Sequence, residues 1–176
     1  MRVKSIVVNV GGVSFVRYCN GSEYNADRAE IPIVAFGNRI YKLEKDVSID
    51  IVYGEKVNKV LTYNFNAGFK TNFRSGCNMI DPFIDQIGDV WHQIAWLVHD
   101  ANYTPCDDSY SLGPEGHPLE KSDADDLLGA MLEFAGEGVI KRNLVVFAVK
   151  LFGRSAYNND DELTAMNRTL FSFRML

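Results

Sequence analysis

The hydrophobic period of the chain changes near its middle. In the first half Val47, Ile49, Ile51 and Tyr53 alternate with Asp46, Ser48, Asp50 and Val52, and Leu61, Tyr63 and Phe65 alternate with Val60, Thr62 and Asn64. A period of two sends successive side chains to opposite faces of a pleated strand, so both runs predict half-buried strands. Gly54-Glu55-Lys56 between them predicts a hairpin. Upstream, Lys4–Val10, Val13–Tyr18 and Ile40–Leu43 are shorter β-like runs. They are parted by Gly11-Gly12, by the polar stretch Asn20–Ala29 and by Gly37-Asn38. The expectation is an antiparallel sheet over the N-terminal half.

Beyond Asp89 the period becomes helical. Val90, Ile94, Leu97, Val98 and Ala101 form one apolar face, and Asp89 is placed to favour the helix N-terminus. A second helix is expected to start at Ser122, whose hydroxyl would cap it with Asp125 three residues on; Leu127, Leu128, Met131, Leu132 and Ala135 follow. Gly136 and Gly138 end it. A third helix is expected from Val139 to Phe152, closed by Gly153. It is apolar over most of its surface and is therefore expected to be the most buried of the three. Strands followed by helices predict an α+β fold over a single domain, residues 1–176.

Between the first two helices, Thr104 to Lys121 holds Pro105, Gly113, Pro114, Gly116 and Pro118. A connection between helices usually takes about 2–8 residues. The excess length suggests a lid, a binding loop or an insertion.

Composition bounds the ligands. With 176 residues, 47% of them hydrophobic, the chain can bury a substantial core. Its net charge is −5 and its Lys and Arg are dispersed, which argues against a surface for nucleic acid. Cys19, Cys77 and Cys106 show no CxxC or zinc spacing and are expected as reduced thiols in a cytosolic setting. The apolar stretch Ile6–Val10 is short and Gly11-Gly12 reads as a turn, so neither a signal peptide nor a transmembrane span is expected.

The candidate chemistry lies on the helix pair. His92, Trp96, His99 and Tyr103 share one stripe of the first helix. The two histidines are roughly 10 Å apart along the axis at 1.5 Å per residue, too far to bind one metal together. Asp100 lies about 100° round the helix from His99, so the imidazole needs its acid from elsewhere. An antiparallel second helix would bring up Asp123, Asp125 or Asp126. Asp125 is the best placed, because it shares a face with Leu128 and Leu132, while Asp126 shares one with Glu133 and reads as solvated. A His–Asp dyad is a minimal acid/base device, and equally a structural hydrogen bond between helices. Asp100 is left as a candidate ligand for a divalent cation. Trp91 and Trp96 read as core anchors, and His117 as an exposed loop residue.

Several short motifs stand in a fixed order: Gly68-Phe69 and Thr71, then Ser75, His99-Asp100, Tyr103, Ala124-Asp125 and Leu151-Phe152-Gly153. Together they resemble the domain-of-unknown-function 1353 family of tailed phages and prophages, over about residues 40–157. The family pattern has an Asp where this chain has Asn72. The resemblance implies a phage or prophage origin and makes Thr71, Asn72, Ser75 and Tyr103 supporting site residues beside His99 and Asp125. A looser likeness is to the phospholipases A2, in which an HD-x-x-(Cys/Tyr) helix carries a catalytic His and a calcium-binding Asp; His99, Asp100, Tyr103 and Asp125 are similar in order.

Two functional expectations follow. In one, the chain is a lysis- or virion-associated hydrolase: His99 takes a proton from water, Asp125 orients it, and a cation on Asp100 holds the oxyanion formed from an ester or amide of the host envelope. In the other, it is a non-catalytic tail or portal-region protein of the virion that contacts other phage virion proteins, with the dyad as an internal lock. Phe171, Phe173 and Leu176 would then form a docking tail. The expected location is the host cytoplasm during infection, or the virion. The hydrolase reading requires an imidazole whose second nitrogen faces an open cleft.

Overall fold

A computed structural model describes residues 2–37, 40–72, 88–107, 110–158 and 161–176. It is α+β. The strands are β1 (Val3–Val10), β2 (Val13–Tyr18), β3 (Glu23–Tyr24), β4 (Ile33–Gly37), β5 (Ile40–Leu43), β6 (Val47–Tyr53), β7 (Lys59–Phe65), β8 (Lys70–Thr71) and β9 (Phe171–Met175). The helices are α1 (Val90–Asn102), α2 (Lys121–Ala135), α3 (Val139–Phe152), α4 (Arg154–Tyr157) and α5 (Glu162–Asn167). Among the described residues no helix is long and apolar enough to cross a membrane.

The main sheet is antiparallel, in the order β3-β2-β1-β6-β7-β9. The tight β1–β2 turn pairs Val10 with Val13, and Gly11 and Gly12 at its corner both have positive φ, which glycine adopts without steric cost. The alternation read from the sequence decides which face is covered. Ile49, Tyr63 and Phe173 are paired neighbours across three strands and all are buried, as are Ile51, Leu61, Phe65 and Phe171 beside them. On the other face Thr62 donates to Asp50 at 2.6 Å, and Ser48, Asn64 and Ser172 line up around them. One face is thus apolar and covered, the other polar. A second small sheet, β4-β5-β8, adjoins through Phe69, whose ring packs edge-on against Phe65 and Phe171.

β9 is the principal departure from the sequence expectation. Phe171 and Phe173 belong to the core rather than to a docking tail, because pairing with β7 turns both rings onto the covered face. Ring contacts of this kind add about 0.5–1.5 kcal/mol each beyond area burial. Arg174, Met175 and Leu176 remain exposed at that end.

α1 is the buried helix. Asp89 caps it by accepting from the Trp91 and His92 backbone N–H groups. Trp91 meets Phe15 of the sheet edge-on, and Asn102 accepts from the Tyr63 hydroxyl at 3.0 Å. α2 packs on α1 through Ala124, Leu127, Leu128, Met131 and Leu132. Its cap lies two residues earlier than expected: Glu120 is the cap residue, with no side-chain cap bond, and Ser122 falls inside the first turn. Lys121 thereby enters the helix four residues before Asp125, on the same face.

α3 corrects the expectation of deepest burial. It packs against α2 and α4, so Val145, Ala148 and Val149 are its buried residues, Val146 is half-buried toward α2, and its remaining apolar side chains are exposed. The α2–α3 contact is close at Gly129, where a Cβ would come within 2.9 Å of the Val146 side chain.

Candidate functional site

The antiparallel return of α2 along α1 brings Asp125 to His99. The imidazole Nε2–H donates to Asp125 Oδ1 at 3.2 Å. An ionised carboxylate only accepts, so the proton of the neutral ring sits on Nε2. Tyr103, one turn further along α1, donates its hydroxyl to the same oxygen at 2.7 Å. Lys121 Nζ donates to Oδ2 at 2.6 Å and also to the Val149 carbonyl of α3 at 3.0 Å. Asp125 is therefore the hub of bonds joining α1, α2 and, through Lys121, α3.

The surroundings are aromatic and closed. His99 and Asp125 are each 1% exposed. The His99 ring lies 4.3 Å from the Tyr103 ring centre and meets Trp96 edge-on. Tyr157 of α4 meets Tyr103 at right angles, and the Lys121 ammonium stands 5.7 Å from the Tyr103 ring centre. Gly153 makes this layering possible: a Cβ there would lie 2.5 Å from the Tyr103 hydroxyl and 2.5 Å from the Val149 carbonyl. The motif glycine is thus a packing requirement for the tyrosine that serves Asp125.

Charge states follow from burial and partners. Burial pushes the His99 pKa below its ordinary 6.5; the bond and charge of Asp125 oppose this, and Lys121 adds to the lowering. The ring is neutral at pH 7. For Asp125 burial acts upward, but the hydrogen bonds from His99, Lys121 and Tyr103 outweigh it and hold the carboxyl below the usual range. Burial and the anionic acceptor both raise the Tyr103 hydroxyl far above its ordinary value, so it stays a donor.

The other sequence candidates divide. Thr71 is buried and donates to Asp100 Oδ2, tying β8 to α1 on the far side of the His99 helix turn. Asn72 follows β8 and is half-buried, and Ser75 lies outside the described residues. Asp100 is not the partner of His99, as the helix geometry required. Among the described residues no group of three or more His, Cys, Asp or Glu side chains gathers to hold a metal. His92 bonds Asp89 at 2.9 Å and faces Glu137, away from this centre. Asp126 is solvated and paired with Lys150.

His117 overturns the expectation of an exposed loop residue. It is 2% exposed, donates from Nδ1 to the Asn102 carbonyl at 3.1 Å, and stacks on Tyr157 with ring centres 4.0 Å apart. The long connection before α2 folds inward to place it: Cys106 N–H bonds the Gly116 carbonyl, and Pro118 and Leu119 are buried. Burial lowers the His117 pKa, opposed by its bond to Asn102. Lys121, Asn102 and Tyr157 were also missed by sequence reasoning. Lys121 alone carried a signal, its spacing of four from Asp125.

Two cavities lie away from this centre. One, of about 350 Å³, is framed by Arg2, Arg17, Tyr18 and Phe134. The other, of about 510 Å³, runs along the outer groove between α2 and α3. Neither is lined by His99, Tyr103 or Asp125. No protein-family model matches this chain, and no curated protein or solved structure matches it significantly.

Proposed function

We propose that this chain is a phage-encoded structural or interaction protein of the virion, in which the His99–Asp125 pair locks three helices together. The phage assignment rests on the motif resemblance to the domain-of-unknown-function 1353 family. The lock reading is carried by one observation, the enclosure of the pair: both residues are 1% exposed and both carboxylate oxygens are occupied by donors. A general base must come within about 2.6–3.2 Å of the proton it removes. A satisfied buried network instead fixes the relative placement of the elements it joins. Its partners would be other phage virion proteins, met in the host cytoplasm during infection or in the assembled particle.

A second reading, an envelope hydrolase acting on an ester or amide, has one observation in its favour. His99 Nδ1, the nitrogen that would accept a proton from water, is buried without a hydrogen-bond partner among the described residues. With Nε2–H held by Asp125 and the ring kept neutral, the electronic arrangement of a base is in place, and the substrate path is what the enclosure denies. Assays of the purified chain on chromogenic short-chain esters and on peptidoglycan turbidity separate the two. The lock reading expects no turnover above buffer and a lowered melting temperature for His99→Gln. Turnover that His99→Gln abolishes while its melting temperature is unchanged would overturn it.

A further inference from the structure

The cavity between the end of β2 and the end of α2 reverses the charge of the chain around it. Its volume is about 350 Å³, within the ~300–1,000 Å³ of small-molecule sites. Arg2 and Arg17 line it against one acid, Glu133, in a chain whose net charge is −5. Glu133 is already engaged by Arg142, at 2.9 Å.

We propose that this cavity binds a small aromatic carboxylate, its charged end held by Arg2 and Arg17 and its ring against Phe134 and Val3. The proposal stands apart from the role of His99, which the cavity does not touch.

The first support is the state of Arg17. Its guanidinium is set 5.7 Å from the Trp91 ring centre and 5.8 Å from that of Phe134, and it pairs with Glu23 at 3.3 Å. Glu23 also accepts from the Trp91 indole N–H at 2.9 Å, so its charge is shared between two donors. Arg17 Nε is buried without a partner among the described residues. A guanidinium offers five N–H donors in a planar fork that matches a carboxylate. Here the fork is held in place by two rings and only partly compensated.

The second support is the wall opposite. Arg2 is exposed, and among the described residues no acid pairs with it. The turn after β2 is fixed by its own bonds: Cys19 N–H to the Lys4 carbonyl at 2.8 Å, Tyr18 N–H to the Ser22 carbonyl at 2.9 Å, and Ser22 N–H to Asn20 Oδ1 at 3.0 Å. Groups already ordered bind without a further ordering cost.

The third is the amount of charge. Gly136, the C-cap of α2, also lines the cavity, so the negative end of the helix dipole lies at one wall. With Glu133 beside it, this favours one negative charge over the roughly 1.5–2 of a phosphate monoester at pH 7.

Amide NMR titration of the full chain with benzoate, benzyl alcohol and phenyl phosphate tests this. Benzoate should bind with a dissociation constant on the order of 1 mM, and the other two at least about tenfold more weakly. Arg2→Gln, at an exposed position, should weaken benzoate about tenfold with the melting temperature unchanged, whereas Glu133→Gln should tighten it about threefold. Cys19 is a free, exposed thiol on the same wall, so saturating benzoate should slow its alkylation by iodoacetamide. Absence of benzoate binding up to about 20 mM overturns the proposal. So does benzyl alcohol or phenyl phosphate binding as tightly as benzoate, or benzoate binding that is indifferent to Arg2→Gln or leaves Cys19 alkylation unchanged.

Discussion

Replacing Asp125 by Asn keeps the shape of the hub and removes its charge. The amide oxygen can still accept from His99 Nε2–H and the Tyr103 hydroxyl, which both point to Oδ1. The amide NH2 then occupies the place of Oδ2, against the Lys121 ammonium at 2.6 Å in the native chain. Two donors face each other, and Lys121 retains the Val149 carbonyl as its partner. Breaking a buried ion pair costs about 3–5 kcal/mol, and the partial solvent access of Lys121 reduces that. We expect a loss of about 2–4 kcal/mol. For a chain of this length each kcal/mol lowers the melting point by about 2–4 °C, so the fall is about 5–15 °C. Denaturant unfolding with a fitted m-value is the assay, with Asp125→Asn, His99→Gln and the double variant forming a cycle. Groups in one network should couple by about 0.5–3 kcal/mol. An Asp125→Asn chain within about 0.5 kcal/mol of wild type, or a cycle with no coupling, would refute the account of Asp125 as a hub.

Gly153→Ala should lose about 1–3 kcal/mol in the same assay, because the added methyl meets both the Tyr103 hydroxyl and the Val149 carbonyl; unchanged stability would show that α4 shifts freely. Acid should destabilise the fold in two stages. His99 and His117 both have folded pKa values below 6.5, so the unfolded chain binds protons first. Their contribution is fully present above about pH 6.5 and falls below it by up to about 1.4 kcal/mol per pH unit for each histidine. Asp125, depressed in the fold, adds stability that is present above about pH 4 and lost as pH falls further. A melting temperature constant from pH 7 to 5 would contradict the histidine assignment, and His99→Gln should reduce the slope between those values.

The sheet was legible where one face is buried and the other wet. Period two in Val47–Tyr53 and Lys59–Phe65 is the direct imprint of that asymmetry, and the structure reproduces it. Phe171–Met175 has the same alternation in its burial, but it is short and far along the chain from β7, and pairing across such a separation leaves no local signal. The dyad was legible because helix periodicity fixes which acids can reach His99 from an antiparallel neighbour; Asp125 alone combined reach with an apolar face. Its enclosure was not legible. It depends on Tyr103, Tyr157 and the inward fold of the long connection, which come from three separate places in the sequence. Apolar content misled for α3, since composition does not say how much of a helix its neighbours cover, and only Val145, Ala148 and Val149 are buried.

The central claim is that His99 is a neutral, enclosed imidazole whose Nε2 proton belongs to Asp125. Long-range proton–nitrogen NMR of the histidine rings, followed from pH 8 to about 5.5, measures this directly. The account predicts a protonated Nε2, an unprotonated Nδ1, and no titration of His99 through pH 6.5. A His99 ring that gains a proton at or above pH 6.5, or that carries its neutral proton on Nδ1, would contradict it.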